Sequence, residues 1–241
     1  MSLLSSLTTP LFLLGAIATL GQAQDISVTP RLSVGVAKGM GITDSVFKDS
    51  VQEGAALFGS ADGTYTTKSA INAEVSLIFS KPFTDTWSLI GGPGFVYSKN
   101  TNDFSMTANG LYKGFTTETI KGTDEFTSLG GKLYAGVGVG NQIGFHAEFL
   151  PFIGFASVKE SLQATGTARN LSGILFTSPP LNGDATGTMT LYGFTVGGYY
   201  TTTSNFQLGA RLGYVGASGK IDGDLVEQSG VLAAAEVGYV F

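Results

Sequence analysis

No cysteine occurs in the 241 residues, which removes disulfide frameworks, thiolate zinc sites, thiol catalysis and a lipid-modified cysteine anchor. Charge is scarce as well. Asp, Glu, Lys and Arg make up 13% of the chain, about half of the roughly 25% usual in soluble domains, too little to cover a water-facing surface. The net charge of -5 and the lack of any basic cluster exclude nucleic acid as a partner, because phosphate binding is driven by grouped Lys and Arg. His146 is the single histidine and so the single conventional general base. No apolar run reaches the ~20 residues of a membrane-spanning helix, and no heptads appear. What the chain has instead is 35 glycines, many Ser and Thr, and an ordinary 43% of hydrophobic residues.

Residues 1–23 stand apart. LFLLGAIATL (Leu11 to Leu20) is an apolar core of signal-peptide length, followed by Gly21, Gln22 and Ala23, with small residues where a signal peptidase needs them. The stretch before it carries no Lys or Arg. The expectation is a signal peptide over 1–23, cleaved after Ala23, and one domain over 24–241.

Behind the signal, eight segments alternate apolar and polar residues over the ~9 to 11 positions of a tilted membrane strand: 25–38, 68–80, 86–98, 125–140, 143–158, 187–201, 205–218 and 228–241. None shows a helical period. Short polar turns, Lys81 to Asp85, Asn141 with Gln142, and Thr202 to Ser204, alternate with longer connections at 39–67, 99–124, 159–186 and 219–227. A strict short-long order with both termini on the short side predicts an all-β, eight-stranded antiparallel transmembrane β-barrel.

The two faces of these segments differ. One reads Ile26, Val28, Pro30, Leu32, Val34; Ile71, Ala73, Val75, Leu77, Phe79; Trp87, Leu89, Phe95, Tyr97, and continues in the same way to Val237, Tyr239 and Phe241 without a charge in its membrane portions. Phe79, Trp87, Phe145, Tyr200, Phe206, Tyr239 and Phe241 sit beside the short turns, while Tyr97, Phe155, Tyr192 and Tyr214 lie eight to ten residues away, as two interfacial girdles would. The opposite face holds small and polar residues and every strand-centre charge: Arg31, Lys132 and Arg211 against Glu74, Glu148 and Glu236, with His146 beside Glu148. This face is expected to line a polar lumen and the other to meet lipid.

These segments, the four longer connections and the terminal run Val237, Tyr239, Phe241 resemble the small outer-membrane barrels of the OmpA-barrel, OmpX and opacity-protein kind. The resemblance spans 24–241 and rests on pattern and topology. It implies a Gram-negative outer membrane, loops outside and termini in the periplasm, and an interior filled by ion pairs. It also implies contact with outer-membrane lipid and lipopolysaccharide, and recognition of Tyr239 and Phe241 by the barrel assembly machinery. Roles in that family run from envelope integrity to adhesion. No periplasmic peptidoglycan-binding domain of the kind full OmpA proteins carry is expected within these 241 residues, and Glu236 stands where a glycine is often found.

An eight-stranded lumen admits side chains or one small ligand. Arg211, Glu236, Arg31 and Glu74 fall on neighbouring strands at similar heights, and Lys132 and Glu148 on the next pair, so opposite signs are expected to neutralise one another: Arg31 with Glu236, Lys132 with Glu148. The alternative is a selective pore or proton path. Lipid A deacylases of this shape carry His-x-Ser on a strand; here His146 is followed by Ala147 and Glu148, so a structural histidine is favoured over an enzyme. Gly136 to Gly144 superficially matches a dinucleotide fingerprint but is interrupted by a turn. Asp222 and Asp224 lack the further spacing of a cation loop. No catalytic, cofactor or metal residue is assigned. The expected function is a non-enzymatic surface or structural protein whose loops bind a surface ligand, the alternative being a lipid-modifying enzyme or narrow channel.

Overall fold

A computed structural model describes residues 26–39, 44–141 and 143–241, with the side chains of 44–48 and 50 outside that set. The expected signal sequence and its cleavage point lie outside the described residues, as does Gln142. The described residues form ten strands and one helix: β1 (Ser27–Lys38), α1 (Asp44–Phe58), β2 (Ser60–Thr67), β3 (Ala70–Pro82), β4 (Trp87–Tyr112), β5 (Phe115–Gly140), β6 (Gly144–Asn170), β7 (Leu175–Thr177), β8 (Leu181–Thr201), β9 (Phe206–Ile221) and β10 (Asp224–Tyr239).

Eight strands close a ring in the order β1, β3, β4, β5, β6, β8, β9, β10, each antiparallel to its neighbours. Closure runs through β1 and β10, with Leu32 opposite Val237 and Ser33 opposite Glu236. Backbone bonds extend it past the last strand residue: Phe241 N donates to Val28 O at 2.9 Å and Val28 N to Phe241 O at 3.2 Å. An exposed edge would leave N–H and C=O groups unpaired in lipid, and a closed ring removes it. The fold is that of an eight-stranded transmembrane β-barrel, and the eight alternating segments of the sequence occupy the eight ring positions in chain order.

Outside this ring the structure departs from the expectation. β4, β5 and β6 run for 26, 26 and 27 residues, well beyond a bilayer crossing, so the expected loops are largely extended arms. β2 pairs with the outer half of β4, from Ser60 opposite Asn109 to Thr67 opposite Asn102, and β7 with the outer end of β6. Two tight turns end the arms: Lys113 and Gly114 join β4 to β5, and Asp222 and Gly223 join β9 to β10, all four at positive φ, the geometry that suits the twist of a two-residue hairpin. Asp222 and Asp224 therefore belong to a hairpin rather than to a cation loop. Helix α1 was not expected within 39–67. Its inward stripe is Gly54 and Phe58, buried, with Val51 and Ala55 half-buried, spaced as a helix requires, but Gly and Ala dilute the hydrophobic signal. Phe58 packs on Tyr112 of β4, ring centroids 5.3 Å apart.

The outward residues of the ring are exposed and apolar, among them Leu32, Val75, Leu89, Leu133, Ile153, Val196 and Leu212. Aromatics rim the band at both ends, with Phe145 against Tyr200 and Tyr239 against Phe241 on the turn side and Phe194 against Tyr214 toward the arms. Val28 is the exception to the outward face, being fully buried. Beyond the arm-side girdle the outer face turns charged: Lys68 pairs with Asp103, Lys99 with Glu125 and Lys159 with Asp184 at 2.7 to 2.9 Å, all partly exposed. That ring of ion pairs marks where lipid ends and water begins.

Candidate functional site: the lumen

Glu74 and Glu236 both stand opposite Ser33 in register, on either side of β1, which puts their carboxylates at one height inside the barrel. Arg211 reaches both: its Nη2 lies 2.9 Å from Glu74 Oε2 and its Nε 3.0 Å from Glu236 Oε1. Nη2 also donates to Ser33 Oγ at 3.2 Å. Arg31 turns across the lumen and donates through both terminal nitrogens to the two oxygens of Glu148, a forked pairing that matches guanidinium to carboxylate. All six side chains of the belt are at most 6% exposed.

Two expected pairings are corrected. Arg31 approaches Glu236 only to 4.0 Å; its partner is Glu148. Lys132 pairs with Glu74 at 3.3 Å and not with Glu148, because the β5–β6 register sets Lys132 opposite Gly154 and Glu148 opposite Gly138, about 20 Å apart along the strands.

Phenols that the sequence reading left unassigned complete the belt. Tyr134 donates to Glu74 Oε1 and Tyr199 to Glu236 Oε2, each at 2.6 Å. Tyr199 also carries Arg31 over its ring at 4.3 Å and stacks on His146, and Lys132 lies 4.5 Å from the Phe152 centroid. Interior glycines make room for these rings: a Cβ at Gly209 would come within 2.1 Å of Tyr199 Cδ1, and one at Gly197 within 2.5 Å of its Cε2. The signal was present in the sequence as glycines facing the same side as large aromatics.

His146 sits on the turn side of the belt. Its Nε2 is 3.4 Å from Glu148 and 3.3 Å from Gln207, and Gln207 is bonded on to Thr201. These contacts orient the ring without offering it a serine or threonine hydroxyl to activate. Next to the belt on the arm side the lumen carries more apolar side chains than expected, with Val96, Phe126, Val158, Met189, Leu191 and Val215 buried there, before the buried polar residues Asn100, Asn102 and Asp124 follow farther out. A lumen this narrow is packed by side chains rather than filled by a water column. Small cavities of about 40 Å³ beside His146 and Glu148 and about 30 Å³ between Lys132 and Phe126 lie in it, each room for one to three waters.

No family model and no curated protein matches the sequence. Among solved structures, the chain is similar to Ail, the attachment invasion locus protein of Yersinia pestis, in complex with the heparin analogue sucrose octasulfate, at 14% identity over 89% of this chain and 99% of that one, TM-score 0.33. It is similar to Neisserial surface protein A at 15% identity over 89% and 97%, TM-score 0.30, and to LpxR from Salmonella typhimurium at 9% identity over 88% and 100%, TM-score 0.21. The barrel assignment rests on the ring, the apolar band and the girdles.

Proposed function

We propose that this is a non-enzymatic protein of a Gram-negative outer membrane, with termini and short turns in the periplasm and the arms outside, acting in surface interaction or envelope integrity. The observation that carries the reading is the contrast between a lumen closed by balanced, mutually bonded charges and long arms held beyond the charged outer ring. From Tyr97 to the Lys113–Gly114 turn, β4 extends for about 50 Å of chain, and the arm tips expose Leu111, Leu171, Ile174, Leu175 and Phe176. Exposed apolar side chains on a rigid scaffold mark an interaction surface. Among the described residues His146 bonds to Glu148 and Gln207 and to no hydroxyl, which offers the enzyme reading no nucleophile there, and the packed belt gives the channel reading no path. Lipopolysaccharide meets the outer face in this scheme, and Tyr239 and Phe241 serve as the assembly signal.

The test joins orientation to binding. Cysteines placed at Asn109 or Gly173 are labelled on intact cells by an impermeant maleimide, and those at Thr84 or Thr203 are not. Cells carrying a chain in which 105–119 is replaced by a short turn keep a barrel that shifts mobility on boiling in SDS, but lose adhesion to host-cell or matrix surfaces. Reversed labelling, or unchanged adhesion by the shortened chain, counts against the reading.

A further inference from the structure

At the arm end of the lumen the charge balance breaks down. Asp124 on β5 is buried, 2% exposed, and its side chain meets that of Glu160 on β6 within hydrogen-bonding reach. Tyr65 of β2 donates to Asp124 Oδ2 at 3.1 Å. Burial and the Glu160 carboxylate hold the Asp124 carboxyl up to about 7, and burial with Asp224 of β10 raises Glu160. Lys68, Lys99 and Lys159 near this height are taken up on the outer face by Asp103, Glu125 and Asp184, and no base is among the groups that shift either carboxyl.

A second observation points to what compensates it. Asn102 of β4 is directly opposite Asp124 in register and shares its lumenal face, which brings their Cβ atoms to ~5 Å. Asn102 is 0% exposed, yet neither its Oδ1 nor its Nδ2 has a hydrogen-bond partner among the described residues; Asp124 Oδ1 and both amide atoms of Asn100, one step nearer the belt, are likewise unpartnered. Buried amides of this kind normally find partners, since leaving one unmade is costly. The free groups are mainly oxygens gathered around two carboxylates, the donor set of a hard cation.

We propose that the arm end of the lumen binds a divalent hard cation, calcium as the probe, between Asp124 and Glu160, with the Asn102 amide oxygen as a third ligand and water filling the remaining positions. Few protein ligands place its affinity in the 10⁻⁴ to 10⁻³ M range of extracellular calcium modules. The cation would tie β4, β5 and β6 together where the arms leave the barrel. This inference does not depend on what the arms bind.

Terbium tests it on the refolded full barrel in zwitterionic detergent, with folding checked by heat-modifiable mobility. Tyr65 is bonded to the site and excites bound terbium, while Trp87, in the short-turn girdle, stands at the other end of the barrel. The expected result is saturable tyrosine-sensitised emission at one terbium per chain, displaced by millimolar calcium but not by potassium. Asp124→Asn and Glu160→Gln each weaken it at least tenfold, Asn102→Ala less, and Asp85→Asn in a short turn not at all. Both carboxylate changes are isosteric and relieve like-charge repulsion, so the barrel is expected to form without them. Absence of saturable, calcium-displaced emission in wild type overturns the proposal, as does emission that survives in either carboxylate variant.

Discussion

The belt and the arm end of the lumen bury carboxylates in opposite ways. In the belt, Glu74, Glu148 and Glu236 face Arg31, Lys132 and Arg211, three against three, with Tyr134 and Tyr199 donating to two of the acids. At the arm end, Asp124 and Glu160 face each other, with Tyr65 and unpartnered amides around them. Desolvating a charge is expensive in both places. In the belt the protein supplies the compensation from its own strands, whereas at the arm end it leaves compensation to a proton or a cation. The belt is therefore a fixed structural element, and the arm end is responsive to solution conditions.

The largest expected effect breaks the belt at its forked pair. Arg31→Ala leaves Glu148 buried with only His146 beside it, and should cost about 3 to 5 kcal/mol of barrel stability, read as a lowered urea midpoint in lipid vesicles. Replacing both members by apolar residues of similar volume, Arg31→Met with Glu148→Met, should cost less than the sum of the single losses. Additive losses in the double variant would show that the two side chains are not coupled.

Next in size is the loss of a phenol. Tyr199→Phe keeps the ring packed over Gly197 and Gly209 but removes the donor to Glu236, so the expected loss is about 1 to 3 kcal/mol, that of a buried acceptor left unmade. Gly209→Ala should cost at least as much for a different reason, since its Cβ would displace the same ring. A Tyr199→Phe variant as stable as wild type would show that Arg211 alone satisfies Glu236.

How much of this was legible in the sequence follows from range. Alternation is a two-residue signal, so the eight ring strands and their lipid-facing residues could be read directly, as could the presence of six charges on the inner face. Which charge meets which could not be read. Register between strands is set by whole-barrel closure, and a guanidinium long enough to cross the lumen passes over its diagonal neighbour Glu236 to reach Glu148. The arms escaped because their strands carry Thr, Ser, Asn and Gly, which reads as loop composition; Lys113–Gly114 and Asp222–Gly223 were the available hairpin signals. Asp124, Glu160 and Asn102 escaped for the same reason, since within apparent loops their parity had no meaning.

The pH dependence of stability sharpens the contrast at the arm end. The groups facing Asp124 are Tyr65 from β2, Asn102 from β4 and Glu160 from β6, with Asp224 of β10 acting on Glu160. The Asp124 carboxyl titrates near 7 in the folded chain, against about 4 when unfolded. Between those values the folded state binds the extra proton, so protonation favours folding there. With chelator present, stability should rise as pH falls from 8 through 7 toward 5, and be lost again as pH climbs back. Saturating calcium should flatten this slope by holding the pair ionised, and Asp124→Asn should remove most of it. Thermal midpoints of wild type at pH 8 and pH 5, with EDTA and with calcium, supply the measurement. Equal midpoints at the two pH values in EDTA would mean that the two carboxyls are compensated from within the protein, as the belt is.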